Sequence, residues 1–170
     1  METKLTEQRI QKLLVNRYIT GGFRVNLCVP NVSFGYFSTH EADLVVVSKA
    51  GYITEFEIKR TWNDFLADFR KKTNHFENKV LRMYYVVPEN IAEQCMQYLC
   101  DHYWDAPFTK GLFDIPCPVG LIAYNEDGGF KTRMYAPELN KYTLMSMQAY
   151  KLTSEEYMQL ARLGVMRLWS

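Results

Sequence analysis

The sequence predicts an α/β protein in which helices flank a mixed central sheet. Three observations point to this class: two β-hairpins with glycine in the turn, runs of β-branched residues, and amphipathic helices between the strands. A hairpin makes an antiparallel pair, whereas a helix joining two strands favours a parallel pair, so the sheet is mixed. With 170 residues, the chain is expected to form one domain, residues 1–170, because two domains would each be cramped.

The first third of the chain predicts a helix followed by three strands. The segment "LTEQRIQKLLVNRYI" places apolar residues on one side at helical spacing, and a Gly-Gly pair ends it. The segment "FRVNLCVPNVSFGYF" is β-rich, but Pro30 and Gly35 predict strands that are short or bulged. In "ADLVVVSKAGYITEFEIK" we predict a hairpin with a Lys-Ala-Gly turn, and residues 44–47 suit a strand buried on both faces.

The rest of the chain predicts alternating helices and strands. Residues 61–78 carry a helical apolar stripe, with Thr61 able to cap its start. "VLRMYYVVP" predicts a buried strand and "PENIAEQCMQYLCDHYW" a helix. "VGLIAYNEDGGFKTRMYAP" predicts a second hairpin, and a final helix begins with a capping box formed by Thr153 and Glu156. The predicted order is therefore α-β-β-β-α-β-α-β-β-α.

Composition and charge exclude several classes of protein. Apolar runs such as "MYYVV" are far shorter than the roughly 20 residues that span a bilayer, and "METKLTEQRI" is too polar for a secretory signal. We therefore expect a cytoplasmic protein that is not bound to a membrane. The four cysteines show no CxxC spacing, which favours buried reduced thiols over a zinc site or disulfides.

The net charge of +1 argues against a protein that coats nucleic acid indiscriminately, but the charge is unevenly distributed. Residues 59–82 contain seven basic and three acidic residues, whereas residues 83–108 contain four acidic and no basic ones. A neutral total can therefore hide a basic patch suited to phosphate. A solvated helix face with counter-charges is the alternative interpretation.

Charged side chains share one face of the first predicted hairpin. Because side chains alternate along a strand, Glu55, Glu57 and Lys59 point to the same side. A three-residue turn centred on Ala50 pairs positions whose numbers sum to about 100, which sets Asp43 opposite Glu57. A slip of two residues would set Asp43 opposite Lys59 instead. Either register brings the two carboxylates and the lysine within ~5–8 Å of one another.

This cluster could serve phosphodiester chemistry. The carboxylates of Asp43 and Glu57, with the main-chain carbonyl of Ile58, make an oxygen-rich site of the kind that Mg²⁺ (or Mn²⁺) prefers. The ion would neutralise charge on a scissile phosphate and help to generate hydroxide from water. Lys59 would orient that water or stabilise the transition state. The alternative is a solvated strand face whose charges serve only solubility.

The Asp43…Glu57-x-Lys59 pattern resembles the PD-(D/E)xK (restriction-endonuclease-like) phosphodiesterase superfamily, whose core runs helix, hairpin, helix and strand. The resemblance implies such a core here, extended by a C-terminal hairpin and helix, and a Mg²⁺-dependent nuclease acting on DNA. The N-terminal helix of that superfamily often adds a glutamate, and Glu7 is the candidate here. The sequence departs from the motif at Ala42, where the superfamily has proline.

A narrower resemblance is to MmcB-like DNA-repair proteins. It rests on "EADLVVV", "EFEIK", "DFLAD", "YYVVP" and "VGLIAY" in that order, covers roughly residues 5–125, and implies a role in DNA repair. In the superfamily, the helix after the lysine motif often adds a polar residue to the site. The basic candidates for contacts with nucleic acid are Arg60, Arg70, Lys71 and Lys72. The resemblance leaves a homodimer open, and residues 126–170 have no counterpart in it.

Several neighbouring residues keep two interpretations. Glu55 is either an additional ligand or, as we expect, a residue nearer the turn and solvent. His40 could touch a metal or phosphate, but an ordinary loop histidine is the commoner case. Asp64 and Asp68 lie four apart on one helical face and could hold Lys59, although Asp64 would equally suit the helix N-terminus.

Two other classes of function stay open at this point. One is a nucleic-acid-binding member of the same fold without turnover, and the other is a protein-interaction domain with a charged face.

Trp62 is expected to pack in the core rather than to stack on a base, because it opens the apolar stripe of its helix.

Overall fold

The regular elements follow one another in the predicted order. A computed structural model describes residues 5–20, 25–33, 40–70, 79–104, 117–138 and 151–168. Its helices and strands are α1 (Glu7–Thr20), β1 (Val25–Val32), β2 (Ala42–Ser48), β3 (Ile53–Ile58), α2 (Trp62–Arg70), β4 (Val80–Pro88), α3 (Ala92–Trp104), β5 (Gly120–Tyr124), β6 (Phe130–Met134) and α4 (Ser154–Leu168), with a 3₁₀ turn at Glu89–Ile91 before α3.

The six strands form one mixed sheet in the order β1-β2-β3-β4-β5-β6, which confirms the predicted α/β class. β3, β4 and β5 are mutually parallel, whereas β1, β2 and β6 each pair antiparallel with a neighbour. The parallel pairs are those joined through α2 and α3. The β2–β3 and β5–β6 pairs are the two predicted hairpins, and β1 adds a third antiparallel pair with β2. β3 therefore lies inside the sheet, between β2 and β4.

Apolar side chains cover both faces of the sheet. On one face, Phe65 of α2, Leu99 of α3 and Leu160 of α4 are buried in a single cluster with alternate residues of the central strands. On the other face, Ile10 and Leu14 of α1 complete a second cluster. Because β2 and β3 have covered faces on both sides, the glutamates of β3, Glu55 and Glu57, are taken out of water.

Most local predictions hold within the described residues. Leu44 to Val47 is at most 3% exposed, as expected of a central strand. β1 runs through Pro30 with a register irregularity near Val25, which an edge strand tolerates because its outer side needs no ladder donors. Gly35, the Gly-Gly pair after α1, and residues 71–78 of the second predicted helix lie outside the described residues.

The predicted helix starts are also confirmed. Thr61 Oγ1 accepts a hydrogen bond from the N–H of Asp64 at 3.1 Å, so Thr61 caps α2. Thr153 and Glu156 form the reciprocal bonds of a capping box before α4.

Trp62 packs against the core cluster, stacked on Phe65 with ring centroids 5.4 Å apart. No described helix is long and apolar enough to cross a bilayer.

The cysteine prediction is partly confirmed. All four thiols are free, but only Cys95 and Cys117 are buried, whereas Cys28 and Cys100 are partly exposed. Burial raises the pKa of Cys95 to about 12 and that of Cys28 to about 11. These thiols therefore stay protonated at neutral pH, and they make poor nucleophiles.

Gly120 allows a close approach that a larger residue would prevent. A Cβ atom there would lie 2.6 Å from the backbone nitrogen of Ala136 and would also overlap the ring of Tyr84. We expect Gly120→Ala to lower the free energy of unfolding by about 1–3 kcal/mol through overpacking. Gly164→Ala is the matched control, because its Cβ would make ordinary contact with Val29 at 3.4 Å inside α4.

The control should therefore stabilise the protein by up to about 1 kcal/mol, since alanine is the better helix former. Urea denaturation of both variants measures the two effects. Destabilisation of similar size in both would mean that the close approach at Gly120 is not what limits the side chain there.

Candidate active site

The β2–β3 hairpin has the predicted register. Its pairs, from Leu44↔Phe56 to Val47↔Ile53, sum to 100, and Gly51 in the turn has a φ of 88°, a conformation that glycine adopts without strain. Continuing this register places Asp43 next to Glu57, the position that the sequence predicts. The backbone N–H of Ile58 donates to Asp43 Oδ2 at 2.6 Å and so fixes the carboxylate at the end of β3.

Lys59 lies between two carboxylates. Its ammonium donates to Glu57 Oε2 at 3.0 Å and to Asp68 Oδ1 at 3.1 Å. Glu57 is 3% exposed, and Lys59 and Asp68 are each 5% exposed. The hypothesis of a solvated strand face is therefore wrong for these residues, because the sheet neighbours and α2 cover them.

Tyr85 of β4 completes this cluster. Parallel pairing of β3 with β4 sets Tyr85 beside Glu57, and its hydroxyl donates to Asp68 Oδ2 at 2.9 Å. Asp68 thus accepts from Lys59 on one oxygen and from Tyr85 on the other. Burial and the nearby Asp68 charge raise the pKa of Tyr85 well above its ordinary value, so the phenol stays a donor.

The carboxylates keep the lysine charged. Burial alone would lower the pKa of Lys59, but the neighbouring Glu57 and Asp68 charges outweigh that effect and raise it above its ordinary value. Lys59 is therefore a permanent cation at neutral pH. It can stabilise developing negative charge, and it cannot act as a base.

Asp43 is in a different electrostatic situation. Burial raises its pKa to about 6, although the Ile58 N–H and the Lys59 charge pull it down, and Glu7 and Asp68 push it further up. A carboxylate with a raised pKa, among other carboxylates, binds a cation readily because the cation relieves the repulsion.

Helix α1 reaches Asp43 through a buried glutamine. The amide of Gln11 donates to the main-chain carbonyl of Asp43 at 2.9 Å and to Asn31 Oδ1 at 2.7 Å. Asn31 has a positive φ of 50°, a local strain that this contact helps to hold. Glu7 lies one turn before Gln11, and its Oε1 is 3.4 Å from the Gln11 amide nitrogen. The predicted accessory acid therefore lies near the residue that contacts Asp43.

The prediction that Glu55 faces the turn and solvent is wrong. Glu55 was expected towards the turn and solvent, but it is fully buried because its face of β3 lies under the helices. His40 lies in the loop before β2, as expected, and its side chain is 4% exposed, with Nε2 2.8 Å from Glu55 Oε1. His40, Glu55 and Glu57 offer ligand atoms that all lie within 4.8 Å of one another.

The two aspartates of α2 have separate roles. Asp68 holds Lys59, whereas Asp64 accepts from the backbone N–H of Arg60 at 3.0 Å and so serves the helix N-terminus. Both interpretations raised for this pair are thus realised, one by each residue.

Only two of the four basic residues predicted to contact nucleic acid lie within the described part of the chain. Arg60 is half-buried, and its Nε donates to the carbonyl of Leu5 at 3.1 Å, so this side chain ties α2 to the start of α1. Arg70 is exposed at the end of α2. Lys71 and Lys72 lie outside the described residues.

The ligand atoms of the predicted metal site are oxygens, the type of donor that a divalent cation such as Mg²⁺ or Mn²⁺ prefers. Asp43 Oδ2 and Glu57 Oε2 take part in the contacts above, and a carboxylate offers several lone pairs, so each group could also act as a metal ligand. The carbonyl of Ile58 belongs to the residue whose N–H holds Asp43. The sequence did not single out Tyr85 or Gln11, although the "YYVVP" strand placed a tyrosine on the face next to Glu57.

The fold and this cluster define a mixed α/β protein with a buried lysine held by carboxylates at the carboxyl end of an internal strand. No family model and no curated protein match the chain. Among solved structures it is similar to SPO1766, a protein of unknown function from Silicibacter pomeroyi, with a TM-score of 0.57 and 16% identity over 97% of this chain and 88% of that one. At this identity the likeness shows the fold alone.

Proposed function

We propose that this protein is a metal-dependent nuclease that hydrolyses DNA phosphodiester bonds, with a restriction-endonuclease-like core and a role in DNA repair. The observation that carries the proposal is the arrangement of Asp43 with the buried Glu57 and Lys59 at the end of β3. A lysine held in this way, beside a half-buried aspartate whose pKa is raised to about 6, is costly for the fold. Such costly arrangements of charge cluster at functional sites.

Each residue has a chemical role in this proposal. Asp43 and Glu57, with the carbonyl of Ile58, would hold Mg²⁺ or Mn²⁺, and Glu7 would act as an accessory ligand or orienting group. A divalent ion supplies charge neutralisation at the phosphate and a more acidic water molecule. The water oxygen would bond to phosphorus and release one proton to solvent, while the bond to one sugar oxygen breaks and that oxygen takes up a proton from solvent.

Lys59 and its partners act on the same step. The ammonium would stabilise the added negative charge on the phosphate oxygens as the bond to water forms. Asp68 and Tyr85 are positioning residues, because Asp68 holds the ammonium and Tyr85 holds Asp68. The exposed guanidinium of Arg70 would contact the DNA backbone, and Lys71 and Lys72 continue the same basic stretch of sequence.

The test is cleavage of single-stranded, double-stranded and branched DNA with Mg²⁺, with Mn²⁺ and with EDTA. We expect metal-dependent cleavage that Glu57→Gln lowers at least about 100-fold, since the amide keeps the contact with Lys59 but binds metal poorly. Glu126→Gln, at an exposed site in the β5–β6 turn, is the matched control and should cleave normally.

A second candidate function is DNA binding without turnover. The observation that favours it is the burial of Lys59 and Glu57, which limits the access of a phosphate to both groups. DNA binding that survives Glu57→Gln, with no cleavage of any substrate by the wild type, would support this second function. Absence of DNA binding and of metal affinity would reject both.

A further inference from the structure

A second group of metal-binding side chains lies along β3 and shares only Glu57 with the proposed nuclease site. Its members are His40, just before β2, and Glu55 and Glu57, two positions apart on one face of β3. The pairing of β2 with β3 therefore brings a histidine from the loop before β2 close to two glutamates of β3. Nothing in the proposed hydrolysis requires His40 or Glu55.

We propose that His40, Glu55 and Glu57 form a binding site for a divalent transition-metal ion. The donor set carries this assignment, because one imidazole and two carboxylates suit Mn²⁺, Fe²⁺, Co²⁺ or Zn²⁺, whereas Mg²⁺ favours an all-oxygen shell. The site selects its ion through His40, and it therefore differs in chemistry from the oxygen site at Asp43.

The separations of the donor atoms fit a common ion. Ligands bound at about 2.0–2.3 Å lie roughly 3–4.5 Å from one another around a single metal. The three ligand atoms here lie within 4.8 Å of one another, and His40 Nε2 is already 2.8 Å from Glu55 Oε1. Small side-chain adjustments are enough to place all three around one ion.

Burial strengthens the attraction of this site for a cation, and the shared Glu57 links the site to Lys59. The side chains of His40 and Glu55 are 4% and 0% exposed, so attraction between a cation and the carboxylates is weakly screened. Glu57 also accepts from Lys59 at 3.0 Å. An ion at His40 therefore shares a carboxylate with the lysine, and its occupancy changes the charge that Lys59 experiences.

Co²⁺ binding in the absence of DNA tests the site independently of cleavage. Tag-free protein is titrated with CoCl₂, and the visible absorption of the bound ion reports its coordination. We expect one tight Co²⁺ site, from which Zn²⁺ displaces the ion and millimolar Mg²⁺ does not, because Mg²⁺ binds an imidazole poorly. His40→Gln and Glu55→Gln should each weaken Co²⁺ binding at least about tenfold and change the spectrum.

Two controls separate this site from its neighbours. His102→Gln removes an exposed histidine of α3 and should bind Co²⁺ like the wild type. Asp43→Asn should also keep the Co²⁺ spectrum, because Asp43 is not a member of the group, even if DNA cleavage is lost.

Three results overturn the proposal. The first is no bound Co²⁺, and the second is binding that His40→Gln and Glu55→Gln leave unchanged in correctly folded protein. The third is Co²⁺ binding that Asp43→Asn abolishes while His40→Gln retains it, which places the ion in the oxygen site. Loss of DNA cleavage in any variant bears on the nuclease proposal alone.

Discussion

Lys59→Met is expected to lower the free energy of unfolding by about 3–5 kcal/mol and to abolish cleavage. The change removes the ammonium that Glu57 and Asp68 share, and so takes a compensating charge away from two buried carboxylates. Methionine retains most of the side-chain length, so the loss reflects charge more than packing. Urea denaturation at neutral pH measures the stability.

Lys131→Met is the matched control, because Lys131 is exposed on β6. Its effect on stability should stay within about 0.5 kcal/mol, as is usual at exposed sites. Equal effects of the two substitutions would show that the ammonium of Lys59 does not balance the buried carboxylates. Cleavage by Lys59→Met must be assayed at a temperature where circular dichroism shows that the variant is folded.

Asp68→Asn separates positioning from folding in the same cluster. The asparagine side chain has the same shape as that of Asp68, and its one oxygen can still accept from Tyr85. It carries no charge, so the attraction that holds the Lys59 ammonium is weaker. If Lys59 acts in the transition state, Asp68→Asn should lower the kcat of cleavage with little change in KM. A lysine that serves only the fold would leave kcat unchanged.

The hairpin geometry could be predicted because it depends on local chemistry. A three-residue turn with glycine sets the pairing of β2 with β3, and side-chain alternation then sets which residues share a face. Asp43, Glu57 and Lys59 therefore come together for reasons that are visible in residues 42–59 alone. The order of the helices follows from apolar periodicity in the same way.

The contacts that depend on distant elements could not be predicted. Glu55 looked solvent-facing because the sequence does not say that helices cover that face of β3. Gln11 reaches Asp43 only because α1 crosses the opposite side of the hairpin, and Tyr85 meets Asp68 because a crossover helix sets the register of β4. In each case the partner is chosen by packing between elements that are far apart in sequence.

Asp43→Asn is expected to raise stability while it removes cleavage. Burial raises the pKa of Asp43 from 3.8 to about 6, so the ionised carboxylate costs the folded state free energy at neutral pH. Two pKa units correspond to about 3 kcal/mol at most, and the neutral amide removes this cost while its oxygen still accepts from Ile58.

The pH dependence gives this prediction a definite sign. Between about pH 4 and pH 6 the folded protein holds a proton on Asp43 that the unfolded chain has lost, so stability falls as the pH rises. The advantage of Asp43→Asn is therefore small near pH 4 and complete above about pH 6. Urea denaturation in metal-free buffer at both ends of this range measures it, with Asp127→Asn in the exposed β5–β6 turn as control.

Opposite effects on stability and activity would distinguish a functional carboxylate from a structural one. A structural aspartate loses stability when its charge is removed, and it does so without regard to metal. If Asp43 is instead a metal ligand, neutralising it should stabilise the metal-free protein. Mg²⁺ should then stabilise only the wild type, by an amount that grows with the Mg²⁺ concentration. A variant that is less stable at neutral pH, with equal response to Mg²⁺, would instead place Asp43 among the residues that only hold the hairpin together.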